Sequence, residues 1–325
     1  MLAHGRWLTL IDVNGQKSII LDKKVSSCIF SFGVKVYADP QITRFGIPTM
    51  ARWRYAFDEG KIARFQKEGR GQGRGTSYKP WLTIQDVASH GRSHRIAGIK
   101  TGRVHHFLSD IERDTFYQFD WADTVTDIRE QYPLDREYTR RIAADLDIKH
   151  PRDAATEIVM TTDFLVDIAY EGKLRQLARA VKPASELEKP RVIDKLEIER
   201  RYWVQQGVDW GIITERDIPE AMVTNIAWLH PYITLDQLTA PYESYYQEKA
   251  RLLLRALPSH SATTLRQFCL AMDQQLAMHV GDSLLLIRHL LARKVISCPM
   301  DTAITDTWPL RQFQVPTDES RRASG

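Results

Sequence analysis

Apolar positions between residues 160 and 182 fall into short β-rich runs, Phe164–Val166, Ile168–Tyr170 and Leu174–Val181, with Glu171-Gly172-Lys173 separating the last two. Runs of this length around a glycine turn predict a β-hairpin. The hairpin sets Asp163, opening its first strand, beside Lys182, closing its second, across 19 positions of sequence.

The pattern on either side fits one layer. Ser109-Asp110-Ile111-Glu112 has the form of a helix start: Ser109 can cap, the acids complement the N-terminal dipole, and Ile111, Phe116 and Phe119 supply an apolar face. Val125–Tyr132 reads as a strand closed by Pro133, and residues 135–157 as a polar loop with a short helix. Ser185–Gln206 reads as a helix with the stripe Leu187, Ile193, Leu196, Tyr202 and Trp203, ended by Gly207. Val208–Thr214 is a further strand. Helix, three strands, helix, strand is a mixed α/β layer.

Beyond it, Pro219–His230 predicts a helix and Pro231 a boundary. Three helices follow, at Tyr245–Leu257, Thr263–Leu276 and Leu284–Lys294, and then a small hairpin of Val295–Cys298 with Ala303–Thr305. That is the winged-helix order. Its third helix carries Arg288, His289, Arg293 and Lys294 among many leucines, which suits a protein partner as well as a major groove. The expected division is an N-terminal extension 1–49, a catalytic domain 50–230, a winged-helix-like domain 231–315 and a disordered polar tail 316–325. In the extension, Trp7–Leu21 predicts a hairpin turning at Asn14-Gly15. Met50, opening a helix-like stretch toward Phe65, also reads as the natural start.

A chain of 325 residues, 43% apolar and 26% charged, is long enough for two domains and has a soluble globular composition. No apolar run has membrane-spanning length, and the N-terminus lacks a secretory pattern. Cys28, Cys269 and Cys298 lie far apart without a CxxC pair. A disulfide scaffold or cysteine zinc site is therefore not expected, and a reducing cytoplasm is.

Charge sharpens the picture because it is uneven. Residues 61–106 hold ten Lys or Arg against Glu68 and Asp86, an excess of +8 in a chain of net charge +4. Such a stretch points to a polyanion, although a solvated charged loop is the commoner cause of a charge run. Arg70, Arg74, Arg92, Arg95, Lys100 and Arg103 are the candidate DNA contacts. Arg70 and Arg74 lie in Gly69-Arg-Gly-Gln-Gly-Arg-Gly75, whose spacing is not that of a nucleotide loop; a flexible linker is the alternative. Tyr78–Val87 predicts a short strand, and Gly91–His106 a hairpin carrying cations. His94, His105 and His106 lack a fourth ligand at a recognised spacing, so exposed or nucleic-acid-facing histidines are expected.

Glu112, Asp163 and Lys182 suggest the chemistry. Carboxylates hold Mg²⁺ because hard ions prefer oxygen, and a nearby ammonium can orient water or stabilise phosphoryl charge. This is the logic, and the element order, of the PD-(D/E)xK nuclease core. Taken alone, Glu112 reads as a surface acid favoured by the helix dipole, and Glu199 faces either the hairpin or neighbouring arginines.

Specific blocks go further. Ile62-Ala-Arg-Phe-Gln-Lys-Glu-Gly69, Gly91-Arg-Ser-His-Arg-Ile96, Lys100-Thr-Gly-Arg-Val-His-His106, Leu108-Ser-Asp-x-Glu112, Asp127-Ile-Arg-Glu-Gln131, Thr162-Asp-Phe-Leu-Val-Asp167, Val181-Lys-Pro-Ala184 and Lys195-Leu-Glu-x-Glu-Arg-Arg-Tyr-Trp203 closely resemble the TnsA family. Its members are endonuclease subunits of heteromeric transposases in the Tn-seven group. The resemblance runs from about residue 60 to 230 and implies a restriction-endonuclease-like α/β fold.

It also implies a DNA endonuclease that cuts the non-transferred strand at the 5′ ends of the transposon, while a TnsB-like DDE recombinase cuts and joins the 3′ ends. The C-terminal domain would contact a TnsC-like AAA+ ATPase. By matching position, Glu112 and Asp163 would bind Mg²⁺, two ions with Mn²⁺ as a substitute, with the Val181 carbonyl completing the set. Lys182 would be the active-site lysine and Glu199 a supporting acid. One position departs: the family has a glutamine two residues before the lysine, where this chain has Ala180. The competing readings are a free-standing restriction or repair nuclease and a non-catalytic DNA-binding adaptor.

Overall fold

The computed structural model describes residues 57–87 and 92–315, together with an antiparallel pairing of Leu10–Ile11 with Lys17–Ser18. That pairing falls within the hairpin expected around Asn14-Gly15. The rest of the extension, the alternative start at Met50 and the tail from residue 316 lie outside the described residues.

The centre is a four-stranded mixed sheet. It contains β3 (Val125–Pro133), β4 (Thr161–Tyr170), β5 (Lys173–Val181) and β6 (Asp209–Ile213), in the order β6-β5-β4-β3. Strands β3, β4 and β5 are antiparallel neighbours, and β6 runs parallel to β5. The β4–β5 turn is the expected one. Tyr170 pairs with Lys173, leaving Glu171 (φ 50°) and Gly172 (φ 71°) as the two turn residues. Positive φ at both matches the right-handed twist of the strands.

Helices cover both faces. Phe116 and Phe119 of α2 (Asp110–Trp121) pack with Ile128, Phe164, Val166 and Leu177. On the other side, Ile142 of α3 (Arg136–Asp145) and Ile198, Tyr202 and Trp203 of α4 (Pro190–Gln205) pack with Leu165 and Ala178. Alternate residues of β4 thus serve opposite cores, as a strand buried on both faces must. Ile193, expected on the α4 stripe, is instead 45% exposed, because the buried face is Leu196, Ile198, Glu199, Tyr202 and Trp203.

Ahead of the sheet come α1 (Glu59–Lys67) and a hairpin of β1 (His94–Ala97) with β2 (Val104–Phe107). Among the described residues of 78–87 there is no strand: Trp81 is buried against Phe65, in a segment of turns. The glycine-rich segment is an ordered loop laid along β3 rather than a loose tether. Gly71 (φ 77°) lies so close to Pro133 that an added Cβ would sit 2.1 Å from its Cγ. Gly75 N–H donates to Asp127 Oδ1, and Arg74 pairs with Asp167.

A second core follows α5 (Glu220–Leu229). It is formed by α6 (Tyr245–Ala256), α7 (Leu265–Gln275) and α8 (Asp282–Ala292) around Leu253, Phe268, Leu286 and Ile287. The helix order is as expected; the hairpin is not. Ser297 pairs with Gln314 instead of residues 303–305, and Asn225 holds Met300, Thr302 and Ile304 by their backbones. The two cores meet where His230 bonds Asp120 at 2.9 Å and Lys294 reaches the Trp121 carbonyl at 2.8 Å. No helix of the described residues is long and apolar enough to cross a membrane.

Candidate active site

The site lies where β4 and β5 stop pairing. Their last ladder pair on this side is Phe164 with Arg179, and the strands then part. Asp163 uses the gap: its Oδ2 accepts from the Val181 backbone N–H and from Lys182 Nζ, each at 2.7 Å. Lys182 Nζ also donates to the Val181 carbonyl at 2.9 Å. The acid and the lysine expected at one end of the hairpin are therefore in direct contact.

Glu112 joins from α2. Ser109 caps that helix by accepting from Glu112 N–H, and the Glu112 carboxylate turns back to accept from Leu108 N–H and Ser109 Oγ. At 8% exposure Glu112 is not a surface acid. Burial, reinforced by the negative charge of Asp163, pushes its carboxyl up to about 7.

Glu199 points inward from α4. Its Oε1 accepts from Thr162 Oγ1 at 2.9 Å and Trp210 Nε1 at 3.0 Å, while Trp203 Nε1 donates to the same threonine hydroxyl. Burial first, then Asp163, raises Glu199 to about 7. Burial disfavours the Lys182 ammonium, yet Asp163, backed by Glu199 and Glu112, holds its pKa above the ordinary lysine value. All four residues with expected catalytic roles thus share one electrostatic neighbourhood.

Among the described residues, no group of three or more His, Cys, Asp or Glu side chains forms a metal cluster. The donors that the resemblance names are two carboxylates and a carbonyl, all hard oxygens suited to a divalent ion that keeps several waters. Two features fit such an ion. Glu112 and Asp163 repel each other, and Lys182 already places a cation against Asp163 Oδ2 and the Val181 oxygen. Ala180 is fully buried beside Ile212, so this position offers no polar side chain.

The expected DNA contacts separate. Arg92 and Arg95 are exposed, flanking His94, which bonds Asp110 at 2.7 Å on the first turn of α2. That tie holds the basic hairpin beside the end of α2 that carries Glu112. Arg74 is 63% exposed although paired with Asp167. Lys100 is part-buried, and burial lowers its pKa despite Asp123.

Arg70 and Arg103 are structural by placement. Arg70 stacks on Phe65 and bonds Asp86, Glu68 and the Trp81 carbonyl. Arg103 forks onto fully buried Glu130, which His105 also contacts. Both guanidiniums are thus engaged within the chain, Arg103 against a buried acid and Arg70 against a part-buried one. His105 is likewise fully buried rather than exposed. A cleft of 270 Å³ elsewhere contains Arg136 and Arg140, which are paired with Glu59, Glu137 and Glu157.

Four site residues are not singled out by the sequence: Gln131, Thr162, Trp203 and Trp210. Trp203 reads as part of the helix stripe, and Thr162 directly precedes Asp163. Gln131 closes the Asp127–Gln131 block, which gives it no role.

Comparison with known proteins gives concordant matches. Residues 122–215 match the family described as TnsA-like endonuclease N terminal, and residues 217–300 match TnsA endonuclease C terminal. The chain is 44% identical over 247 residues to the transposon Tn7 transposition protein TnsA of Escherichia coli. The alignment covers 76% of this chain and 88% of that protein.

Proposed function

The chain belongs to the TnsA endonuclease family, and from that premise we propose that it cuts the non-transferred strand at the 5′ ends of a transposon, using Glu112, Asp163 and Lys182. It is a DNA endonuclease and a subunit of a Tn7-like transposase. The observation that carries the site assignment is the 2.7 Å contact of Lys182 with Asp163, with buried Glu112 electrostatically linked to both. A restriction-endonuclease-like core is supported by the order α2–β3–α3–β4–β5–α4–β6, with the acid near the start of β4 and the lysine following β5.

Glu112, Asp163 and the Val181 carbonyl would hold Mg²⁺, as two ions, with Mn²⁺ able to take the same oxygens. When bound, the metal supplies Lewis-acid polarisation of the scissile phosphate and a more acidic water. The protein's own groups do the rest. Asp163 fixes Lys182, whose ammonium can orient an attacking water or stabilise charge on the phosphoryl oxygens. Glu199 is tied to Thr162 and Trp210, and its charge supports the lysine from the α4 side.

Arg92, Arg95 and Arg74 are the exposed cations proposed to follow the transposon-end backbone. The C-terminal helices are read as winged-helix-like, a reading supported by the bridges of Thr264 with Pro309 and Ser297 with Gln314. They would dock a TnsC-like AAA+ ATPase, and a TnsB-like DDE recombinase would make the 3′ cuts. The test is reconstitution with the recombinase on transposon-end DNA, scoring each strand separately with and without Mg²⁺. Loss of 5′-strand cuts alone on mutation of Asp163 supports the assignment; unchanged 5′ cutting overturns it.

A further inference from the structure

Gln131 is the one described non-glycine residue within a strand of the main sheet whose backbone adopts a left-handed conformation, with φ at 48°. Its neighbours pair normally across to β4, Glu130 with Phe164 and Tyr132 with Thr162, so the irregularity is confined to the residue facing Asp163. A left-handed glutamine inside a ladder is strained, and strain of this kind persists only where surrounding contacts hold it. Here they do. The Gln131 carbonyl accepts from Trp81 N–H at 3.1 Å, and Trp81 is itself buried against Phe65. Thr161 Oγ1 donates to Gln131 Oε1 at 3.0 Å, which turns the amide NH₂ toward Asp163. Gln131 Nε2 reaches Asp163 Oδ1 at 3.3 Å.

We infer that Gln131 is a positioning residue of the cleavage site, its strained backbone serving to aim a side-chain amide at the free oxygen of Asp163. Val181 N–H and Lys182 hold Oδ2, so among the described residues Gln131 is the group that fixes Oδ1 and, with it, the plane of the carboxylate. The buried Ala180 of β5 has no polar side chain to offer Oδ1, and Gln131 Nε2 supplies that contact from β3. A ligand carboxylate free to rotate presents its lone pairs poorly, and misplacement of about 1 Å costs on the order of 100-fold in rate.

The inference rests on the reading of Asp163 as the site acid, and the experiment separates the two. Gln131→Gly removes the amide and relieves the backbone; Gln131→Glu keeps the side chain's size but replaces the donor with an acceptor. Three quantities are read in the reconstituted transposase and in the purified chain: the 5′-strand cutting rate at saturating end DNA, the DNA concentration for half-maximal cutting, and the melting temperature with and without Mg²⁺. Gln131→Gly should melt at or above the parent temperature, cut roughly 10- to 100-fold more slowly, and keep the same half-saturating DNA. The upward shift in melting produced by Mg²⁺ should shrink in both variants.

A residue that only stabilises the fold would instead lower the melting temperature and leave the cutting rate of the folded protein alone. If Gln131→Gly melts early, Gln131→Glu carries the test. Parental cutting by Gln131→Glu, or by a folded Gln131→Gly, overturns the inference while leaving the site intact. Parental cutting by Asp163→Ala overturns the site and the inference together.

Discussion

Lys182 Nζ lies 2.7 Å from Asp163 Oδ2, and the same carboxylate oxygen takes the Val181 N–H. One carboxylate therefore sets both the lysine and the backbone carbonyl expected to bind metal. Asp163→Ala should abolish 5′-strand cutting while 3′ joining continues. Lys182→Ala should also stop cutting, by at least about 100-fold given the scale of lost electrostatic stabilisation at such sites. Removing the cation also leaves Asp163 and Glu112 uncompensated, so its apo melting temperature should fall. Lys182→Ala that melts as the parent and cuts normally would remove the lysine from the mechanism.

Glu112 and Glu199 give the chain an unusual pH response. Both stand at about 7, against an ordinary value of 4.5. Between those limits the folded chain keeps protons that the unfolded chain has released. The associated stability is complete below about 4.5 and is lost as pH rises toward and past 7. Without divalent ions, the melting temperature should therefore fall from pH 5 to pH 8. Glu112→Gln and Glu199→Gln should each flatten that fall, with Glu112→Gln inactive in cutting. Glu130, held down to about 2 chiefly against its burial by Arg103 and His105, works the other way: its contribution is lost only as pH drops below about 4.5. Profiles for the glutamine variants parallel to the parent's would falsify the assignment of the window to these two acids.

The two kinds of arginine in the basic segment should separate experimentally. Arg92→Ala and Arg95→Ala should weaken binding to end DNA and reduce the slope of log affinity against log salt by up to about 0.9 for each phosphate no longer neutralised. Their melting temperatures should not move. Arg103→Ala strands the buried Glu130 and His105 and should cost roughly 3–5 kcal/mol in denaturant unfolding. Its salt slope should be the parent's wherever it remains folded. An Arg103 variant with parental stability and a reduced slope would reverse these assignments.

The sheet and the acid–lysine pair are legible in the sequence because their determinants are local. The Glu171-Gly172 turn sets the register of β4 and β5, and register alone brings Asp163 to Lys182. What escapes depends on partners distant in sequence. Arg70 and Arg103 read as free cations until Asp86 and Glu130 fold against them. The nearest run of β-formers predicts the C-terminal hairpin at 303–305, but Ser297 takes Gln314 because Asn225 holds the intervening segment by its backbone. The left-handed Gln131 is imposed by Trp81 and Thr161, and no residue type at position 131 announces it.

The glycine-rich loop offers a last test, because its glycines are not equivalent. Gly71 and Gly75 both have positive φ, so alanine at either meets backbone strain of about 1–2 kcal/mol. At Gly75 nothing lies within 4 Å of the added Cβ, and that strain is the whole cost. At Gly71 the Cβ would collide with Pro133 at 2.1 Å, and the ring cannot move without dragging the end of β3, which carries Gln131. Gly71→Ala should therefore destabilise by clearly more than Gly75→Ala, about 3 kcal/mol or more once the clash is added to the strain. It should also slow cutting even in the folded fraction, since the loop's packing on β3 holds the residue that orients Asp163. Urea unfolding of the two variants, with strand-specific cutting measured well below their melting temperatures, decides it. Equal stabilities would mean that the loop is not packed on β3. Normal cutting by folded Gly71→Ala would mean that the packing does not reach the site.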